Sequence, residues 1–176
     1  MKSESQSGPV VKVLMVCLGN ICRSPSAHGV FDNFIKNKNL SSRIEVDSAG
    51  TSNYHIGQPP DPRSIDAAAQ RGYALYELVA RQVQPDDYLT FDYILAMDKA
   101  NLNDLKKSAP AQARARLSLL LAYSNCVEEV VPDPYYSGDD GFEHVLDLIE
   151  GACAGLMEDI HSRHLSTSTG ATNSPS

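Results

Sequence analysis

Short apolar runs alternate along this chain with stretches in which apolar residues recur every three or four positions. Val10–Val16 and Tyr93–Met97 are almost continuously apolar, which is typical of strands buried on both faces of a parallel sheet. Ile44–Asp47 predicts a further short strand. Leu117–Leu121 is apolar enough for a strand, although its periodicity does not exclude a helix.

The stretches between these runs have the spacing that places apolar side chains on one face of a helix. Ser24 followed by Pro25 predicts the N-cap and the first residue of one helix. Asp61 and Pro62 repeat this pattern for a second helix, which Gly72 is placed to stop.

The remaining helices complete the alternation. Asp98 predicts the cap of a helix that carries Leu102 and Leu105. The longest apolar stripe closes the domain and comprises Phe142, Val145, Leu146, Ile149, Cys153, Leu156, Met157 and Ile160. Strands that alternate with helices predict an α/β fold, a single domain with a central four-stranded parallel sheet and helices on both faces.

Composition narrows the class of protein. A chain of 176 residues with 42% hydrophobic content predicts one compact domain, which we place at residues 10–164. Residues 1–9 and 165–176 are polar and Ser-rich, and we expect a disordered leader and tail. A net charge of −7 argues against nucleic acid or an anionic membrane as a partner. Four cysteines are too few for a secreted disulfide framework, and no apolar run reaches membrane-spanning length, so we expect a cytoplasmic protein.

The candidate chemistry lies where the first apolar run ends, in the segment CLGNICRS (residues 17–24). A loop between a strand and a helix start can point its backbone N–H groups at one centre, which makes a phosphate-binding loop after the first strand. The same field stabilises the thiolate form of Cys17, and Arg23 can bind two phosphate oxygens at once. A Cys after a buried strand is more often a small core residue, but Gly19, Asn20 and the helix start favour phosphoryl transfer through a phosphocysteine.

The segment VCLGNICRSP resembles the signature of the low-molecular-weight protein tyrosine phosphatases. Later blocks resemble that family in the same order: DSAGTSNYHIGQPPDPRS (Asp47–Ser64), ARQV (Ala80–Val83), FDYILAMD (Phe91–Asp98) and PDPYY (Pro132–Tyr136). The resemblance covers about Val10 to Arg163 and favours a strand at Leu117–Leu121. It implies hydrolysis of phosphotyrosine and small aryl phosphates, with phosphate and vanadate as inhibitory oxyanions.

Asp133 is the candidate proton donor to the leaving phenol. Its flanking prolines, Pro132 and Pro134, stiffen the loop that carries it. This lowers the entropic cost of holding a carboxylate over the phosphate-binding loop of residues 17–24, which we call the cradle. From the residues alone, an Asp-Pro pair is more often a turn cap. The resemblance assigns Asp133 as general acid, and in the second step as the base that activates water.

The resemblance also implies the rest of the site. Tyr54, Tyr135 and Tyr136 would form aromatic walls that favour phosphotyrosine over the shorter phosphoserine. Ser24 would hydrogen-bond the leaving thiolate. The substrate cradle would be completed by Leu18, Gly19, Asn20, Ile21 and Cys22.

Asn20 and Ser48 resemble partners in a network that holds the loop in shape. Many members of the family carry a His just before Ala80-Arg81-Gln82, but Glu77–Val79 stands there in this chain, so that support is absent or replaced. We expect the five histidines to be scattered and solvated: His28, His55, His144, His161 and His164.

Two other functions use the same features. A thiol-coupled arsenate reductase would share the cradle, but it needs relay cysteines, and none lies between Cys22 and Cys126. A non-catalytic phosphate-binding module would not need Cys17, Arg23 and Asp133 together. The Cys17–Cys22 pair has no second ligand pair of matching spacing, so we expect no metal and no cofactor. We expect a monomer that acts on phosphotyrosine proteins or peptides, with Cys22 available for redox control of Cys17.

Overall fold

Four parallel strands form the centre of the protein, in the spatial order β2-β1-β3-β4. The computed structural model describes residues 8–135 and 137–165. In chain order the strands are β1 (Val11–Cys17), β2 (Ile44–Gly50), β3 (Tyr93–Ala96) and β4 (Arg116–Leu119). All three pairings are parallel, which confirms the predicted four-stranded parallel sheet.

Helices cover both faces of this sheet. They are α1 (Arg23–Asn37), α2 (Pro62–Gln70), α3 (Asp87–Thr90), α4 (Lys99–Ser108) and α5 (Asp139–Ile160). Val13 and Met15 of β1 enter the larger hydrophobic core with residues of α1 and α5. Leu14 and Val16 point to the opposite face and enter a smaller core with residues of α3 and α4. Because alternate side chains enter opposite cores, β1 is apolar at every position except Lys12.

Two of the predicted helix starts are confirmed by their hydrogen bonds. The Asp61 side chain accepts from the peptide nitrogen of Arg63, and the Asp98 side chain accepts from that of Asn101. Gly72 follows the end of α2 with a φ of +90°, a left-handed conformation that favours glycine.

The prediction that Ser24 caps α1 is wrong. The helix begins at Arg23 with Cys22 at the N-cap, so Pro25 is its third residue and not its first. A hydroxyl can cap a helix only from the N-cap position, and Ser24 lies inside the first turn. Its Oγ is instead turned toward Cys17.

Some boundaries also differ from those expected. β2 continues past Asp47 to Gly50, because Ser48, Ala49 and Gly50 all pair with the end of β1. β4 ends at Leu119, and the next four residues form a 3₁₀ turn (Leu120–Tyr123). The single-turn helix α3 was not predicted, since so short an element has no periodicity to detect.

The predicted leader and tail lie mostly outside the described residues, at 1–7 and 166–176. At the described ends, Arg43 donates a hydrogen bond to the carbonyl of Pro9. A single π-helical turn (His161–Leu165) follows α5, and Leu165 packs against the larger core.

The strand order creates the place for a ligand. The chain passes from β1 to β2 on one side and later reaches β3 on the other side of β1. The carboxyl ends of β1 and β3 therefore flank a topological switch point, where α/β sheets bind ligands. Cys17 is the last residue of β1, and Asp98 follows shortly after β3.

Candidate active site

Two backbone N–H groups and one hydroxyl meet at the sulfur of Cys17. The peptide nitrogens of Asn20 and Ser24 lie 3.3 and 3.4 Å from Sγ, and Ser24 Oγ lies 3.1 Å from it. Ser24 is in the first turn of α1, so its N–H is one of those that have no partner within the helix. The sulfur is thus placed at the positive end of a helix and within the loop that precedes it.

The loop keeps this shape through contacts of Asn20 and Gly50. Asn20 has a φ of +59°, and its side chain donates to Ser24 Oγ at 2.7 Å and accepts from the peptide nitrogen of Arg81 at 3.0 Å. Gly50, which pairs with Cys17, has no room for a side chain, because a Cβ there would lie 2.7 Å from the carbonyl oxygen of Leu18. These contacts hold the loop against the end of β2.

Arg23 is buried beside this loop and is held by two oxygens. Its Nη1 donates to Asp98 Oδ2 at 2.7 Å and to the carbonyl of Val131 at 3.0 Å. Sequence reasoning treated Asp98 only as a helix cap, and it performs that role with its other oxygen. Its place after β3, the neighbour of β1, was the signal that could have identified it as a partner of Arg23.

Asp133 lies over the same cavity. Its Oδ2 is 3.8 Å from Nη2 of Arg23, and its Oδ1 accepts from the peptide nitrogen of Tyr135 at 3.0 Å. The cavity has a volume of about 290 Å³ and is lined by Cys17, Leu18, Gly19, Ile21, Cys22, Arg23, Tyr54, His55, Asp133 and Tyr135. The cavity therefore brings together most of the predicted site residues, which lie up to 118 positions apart in the chain, from Cys17 to Tyr135.

The other predicted residues have different places. Asn20, Ser24 and Ser48 are buried and do not line the cavity, and the side chains of Asn20 and Ser24 are hydrogen-bonded to each other within the loop. Tyr136 lies outside the described residues. His55 was expected to be solvated, yet it lines the cavity and lies close to Gly19, where a Cβ would be 2.9 Å from the imidazole.

The expectation that His28 is solvated is wrong, because its imidazole is largely removed from solvent. Its Nδ1 lies 3.0 Å from Ser48 Oγ, so Ser48 has an imidazole partner from α1 although Glu77–Val79 supplies none. Burial lowers the pKa of His28 below its usual 6.5, against the opposing charges of Asp47 and Asp32. The neutral imidazole is therefore the form that the fold favours.

Cys22 differs from Cys17 in its surroundings. Burial raises the pKa of the Cys22 thiol to about 12, so this residue is a neutral thiol at physiological pH. Both cysteines are free, and both line the same cavity.

Three further observations concern other kinds of site. Among residues 8–135 and 137–165, no group of three or more His, Cys, Asp or Glu side chains is placed to hold a metal ion. Over the same part of the chain, every helix is too short or too polar to cross a membrane. A larger cavity of about 370 Å³ lies between residues 82–85 and α4, but its lining holds neither a cysteine nor an arginine.

Comparison with known proteins agrees with this geometry. The family model described as low molecular weight phosphotyrosine protein phosphatase matches residues 12–165. The chain belongs to this family. The phosphatases of Homo sapiens and Gallus gallus that bear this name are 42% and 41% identical to it, over 85% and 88% of this chain and 95% and 99% of theirs. A crystal structure of a protein tyrosine phosphatase from Entamoeba histolytica, with Hepes in its active site, is 39% identical with a TM-score of 0.83 and covers 86% of this chain and 97% of that one.

Family membership makes the chain a phosphoric monoester hydrolase of the protein-tyrosine-phosphatase type. These matches do not favour the arsenate reductase alternative.

Proposed function

We propose that this chain hydrolyses phosphotyrosine in proteins and peptides, and small aryl phosphates, through a phosphocysteine intermediate at Cys17. The observation that carries the proposal is the position of Cys17 Sγ, which receives two backbone N–H groups in a cavity that Arg23 and Asp133 share. N–H donors and a guanidinium suit the three equatorial oxygens of a phosphoryl group in transfer.

In the first step the Cys17 thiolate attacks phosphorus, and the bond from phosphorus to the phenolic oxygen breaks. Asp133 gives its proton to that oxygen, which leaves as a neutral phenol. Arg23 binds the phosphoryl oxygens, and its fixed contact with Asp98 keeps the guanidinium in plane with them.

In the second step Asp133, now a carboxylate, takes a proton from water as the water oxygen attacks the phosphocysteine. The sulfur–phosphorus bond breaks, and phosphate leaves. The Ser24 hydroxyl, 3.1 Å from Sγ, donates to the departing thiolate and stabilises it.

Aromatic selectivity is proposed to come from Tyr54 and Tyr135. Both line the cavity beside the cradle, and both keep large exposed surfaces on which a substrate ring can stack. A phosphoserine side chain is too short to reach the cradle while making these contacts.

Redox control by Cys22 is part of the proposal. Peroxide converts the Cys17 thiolate to a sulfenic acid with loss of hydroxide, and Cys22 then attacks that sulfur to form a disulfide and release water. The neutral state of the Cys22 thiol makes this condensation slow at neutral pH.

The unpaired cysteines among the described residues fit a reducing, cytoplasmic location. We propose a monomer as the active form.

Turnover of p-nitrophenyl phosphate and of a phosphotyrosine peptide in EDTA tests the function. A phosphatase of the proposed type hydrolyses both without metal and is inhibited by vanadate. An arsenate reductase would consume thiol in the presence of arsenate, and a binding module would bind phosphate without turnover. Either of those results would contradict the proposal.

A further inference from the structure

Arg63 occupies a position that the stability of its own helix does not explain. It is the second residue of α2, where the positive end of the helix dipole disfavours a cation. Asp61 compensates for this charge: Arg63 Nε donates to Oδ1 at 3.0 Å and Nη2 donates to Oδ2 at 2.9 Å. This bidentate pair fixes the plane of the guanidinium and directs its third nitrogen, Nη1, to another segment.

That segment is the loop that carries Asp133. Arg63 Nη1 donates to the carbonyl of Tyr135 at 3.0 Å. The guanidinium carbon also lies 5.3 Å from the centre of the Tyr135 ring and 4.8 Å from that of Phe142, distances at which a cation is attracted to an aromatic face. Phe142 is buried in α5, so the guanidinium lies against a rigid surface while it holds both the backbone and the ring of Tyr135.

Tyr135 in turn orients Asp133. Its peptide nitrogen donates to Asp133 Oδ1, and its carbonyl is the group that Arg63 holds. The other end of the loop is anchored at the sheet, where the Val131 nitrogen donates to the Met97 carbonyl at 2.8 Å. Asp133 therefore lies between two anchors, one of which is Arg63.

The same arrangement reaches the cradle. The peptide nitrogen of Asp61 donates to the carbonyl of Ile21 at 2.8 Å, within the loop that surrounds the Cys17 sulfur. We propose that Arg63 is a positioning residue that aligns the Asp133 loop with the Cys17 cradle, and so sets the efficiency of proton transfer to the leaving phenol. This inference rests on the proposed phosphatase function.

A lysine does not replace Arg63 in this role. Two parallel donors to Asp61 and a third to Tyr135 require the planar fork of a guanidinium, whereas an ammonium is a single point charge.

The test compares Arg63→Met with the wild type on phenyl phosphate, p-nitrophenyl phosphate and 2,4-dinitrophenyl phosphate. We expect kcat/KM on phenyl phosphate, which reports the step that releases the phenol, to fall by about 10- to 100-fold, the size of loss that misplacement of a catalytic group causes. The loss should shrink as the phenol becomes more acidic, and inhibition by inorganic phosphate should not change. In an Asp133→Ala background, Arg63→Met should cause no further loss, because the group that it positions is absent.

Arg71→Met is the matched control. Arg71 lies at the other end of α2 and pairs with Glu143, Asp147 and Glu150 of α5, so its loss removes comparable ion pairs without touching the Asp133 loop. We expect it to lower the melting temperature and to leave the dependence on the leaving group unchanged. Arg63→Lys provides the same comparison if Arg63→Met does not fold.

An equal loss of kcat/KM on all three substrates, or an additive loss with Asp133→Ala, would overturn the positioning role. A wild type that hydrolyses none of the three would overturn the proposed function, and this inference with it. The two failures are distinguishable, because the first requires a wild type with measurable turnover.

Discussion

The cradle of residues 17–24 and the loop of residues 131–135 meet at one cavity but are built in opposite ways. The cradle is continuous in sequence and contacts the sulfur of Cys17 mainly through backbone groups, and the side chain of Arg23 is only 5% exposed. The loop carries its carboxylate on a side chain that is 46% exposed and contacts the Tyr135 nitrogen of the same loop and the Arg23 guanidinium.

This difference follows from what each part has to do. An oxyanion has a fixed tetrahedral shape, so its donors are best made rigid and buried. In the proposed mechanism Asp133 has to receive the water that attacks in the second step, so its carboxylate must stay accessible to solvent. Changes in the cradle should therefore abolish chemistry or alter stability, whereas changes in the loop should alter the rate and leave the fold intact.

The largest effect is expected from Cys17→Ser. The hydroxyl occupies the same place but is a far weaker nucleophile at neutral pH, so turnover of p-nitrophenyl phosphate should be abolished. Binding of inorganic phosphate or a phosphotyrosine peptide, measured by calorimetry, should persist, because the N–H donors and Arg23 are unchanged. Substantial residual turnover would contradict the covalent mechanism.

Asp133→Ala is expected to have the next largest effect. Loss of the proton donor should slow hydrolysis of phenyl phosphate by about 10²- to 10⁴-fold, the usual contribution of general acid catalysis. The loss should become smaller with more acidic phenols, and the melting temperature should stay close to that of the wild type because the residue is exposed. A loss of kcat/KM that is uniform across phenols would mean that Asp133 does not protonate the leaving phenol.

A smaller effect is expected from Cys22→Ser after oxidation. Wild-type activity lost to peroxide should be recovered with dithiothreitol, and recovery should rise with pH as more of the Cys22 thiol ionises from its high pKa. The Cys22→Ser protein should recover a smaller fraction of its own starting activity. Cys126→Ser changes an exposed thiol that does not line the cavity and serves as the control. Equal recovery in all three proteins would remove Cys22 from this role.

The smallest effect concerns the buried contact of His28 with Ser48. The folded state lowers the pKa of His28, so below pH 6.5 the unfolded chain binds a proton that the folded chain does not. Stability from this group is therefore complete above that pH and is lost as the pH falls, by at most about 1.4 kcal/mol per pH unit. His28→Gln should flatten the fall of melting temperature between about pH 7 and pH 5, whereas the exposed His161→Gln should not. Parallel curves for wild type and His28→Gln would contradict this role.

The elements themselves were largely readable from the sequence. Each predicted feature is a pattern among residues that are close together in the chain. These features are the apolar runs of β1 and β3, the caps Asp61 and Asp98, and the long apolar stripe of α5. The cradle was found for the same reason, since its N–H groups come from consecutive residues between a strand and a helix. Ser24 was the exception, because a helix start can shift by a residue or two without any change in the pattern.

The sequence by itself therefore determined the alternation of strands and helices and pointed to the candidate nucleophile and the loop around it. Only the tertiary structure decided which side chains support them. The hydrogen bonds of Asp98 with Arg23, of His28 with Ser48 and of Arg63 with Tyr135 join residues that are 75, 20 and 72 positions apart. Such contacts depend on the order of the strands and on where each helix packs, and a local sequence pattern reflects neither.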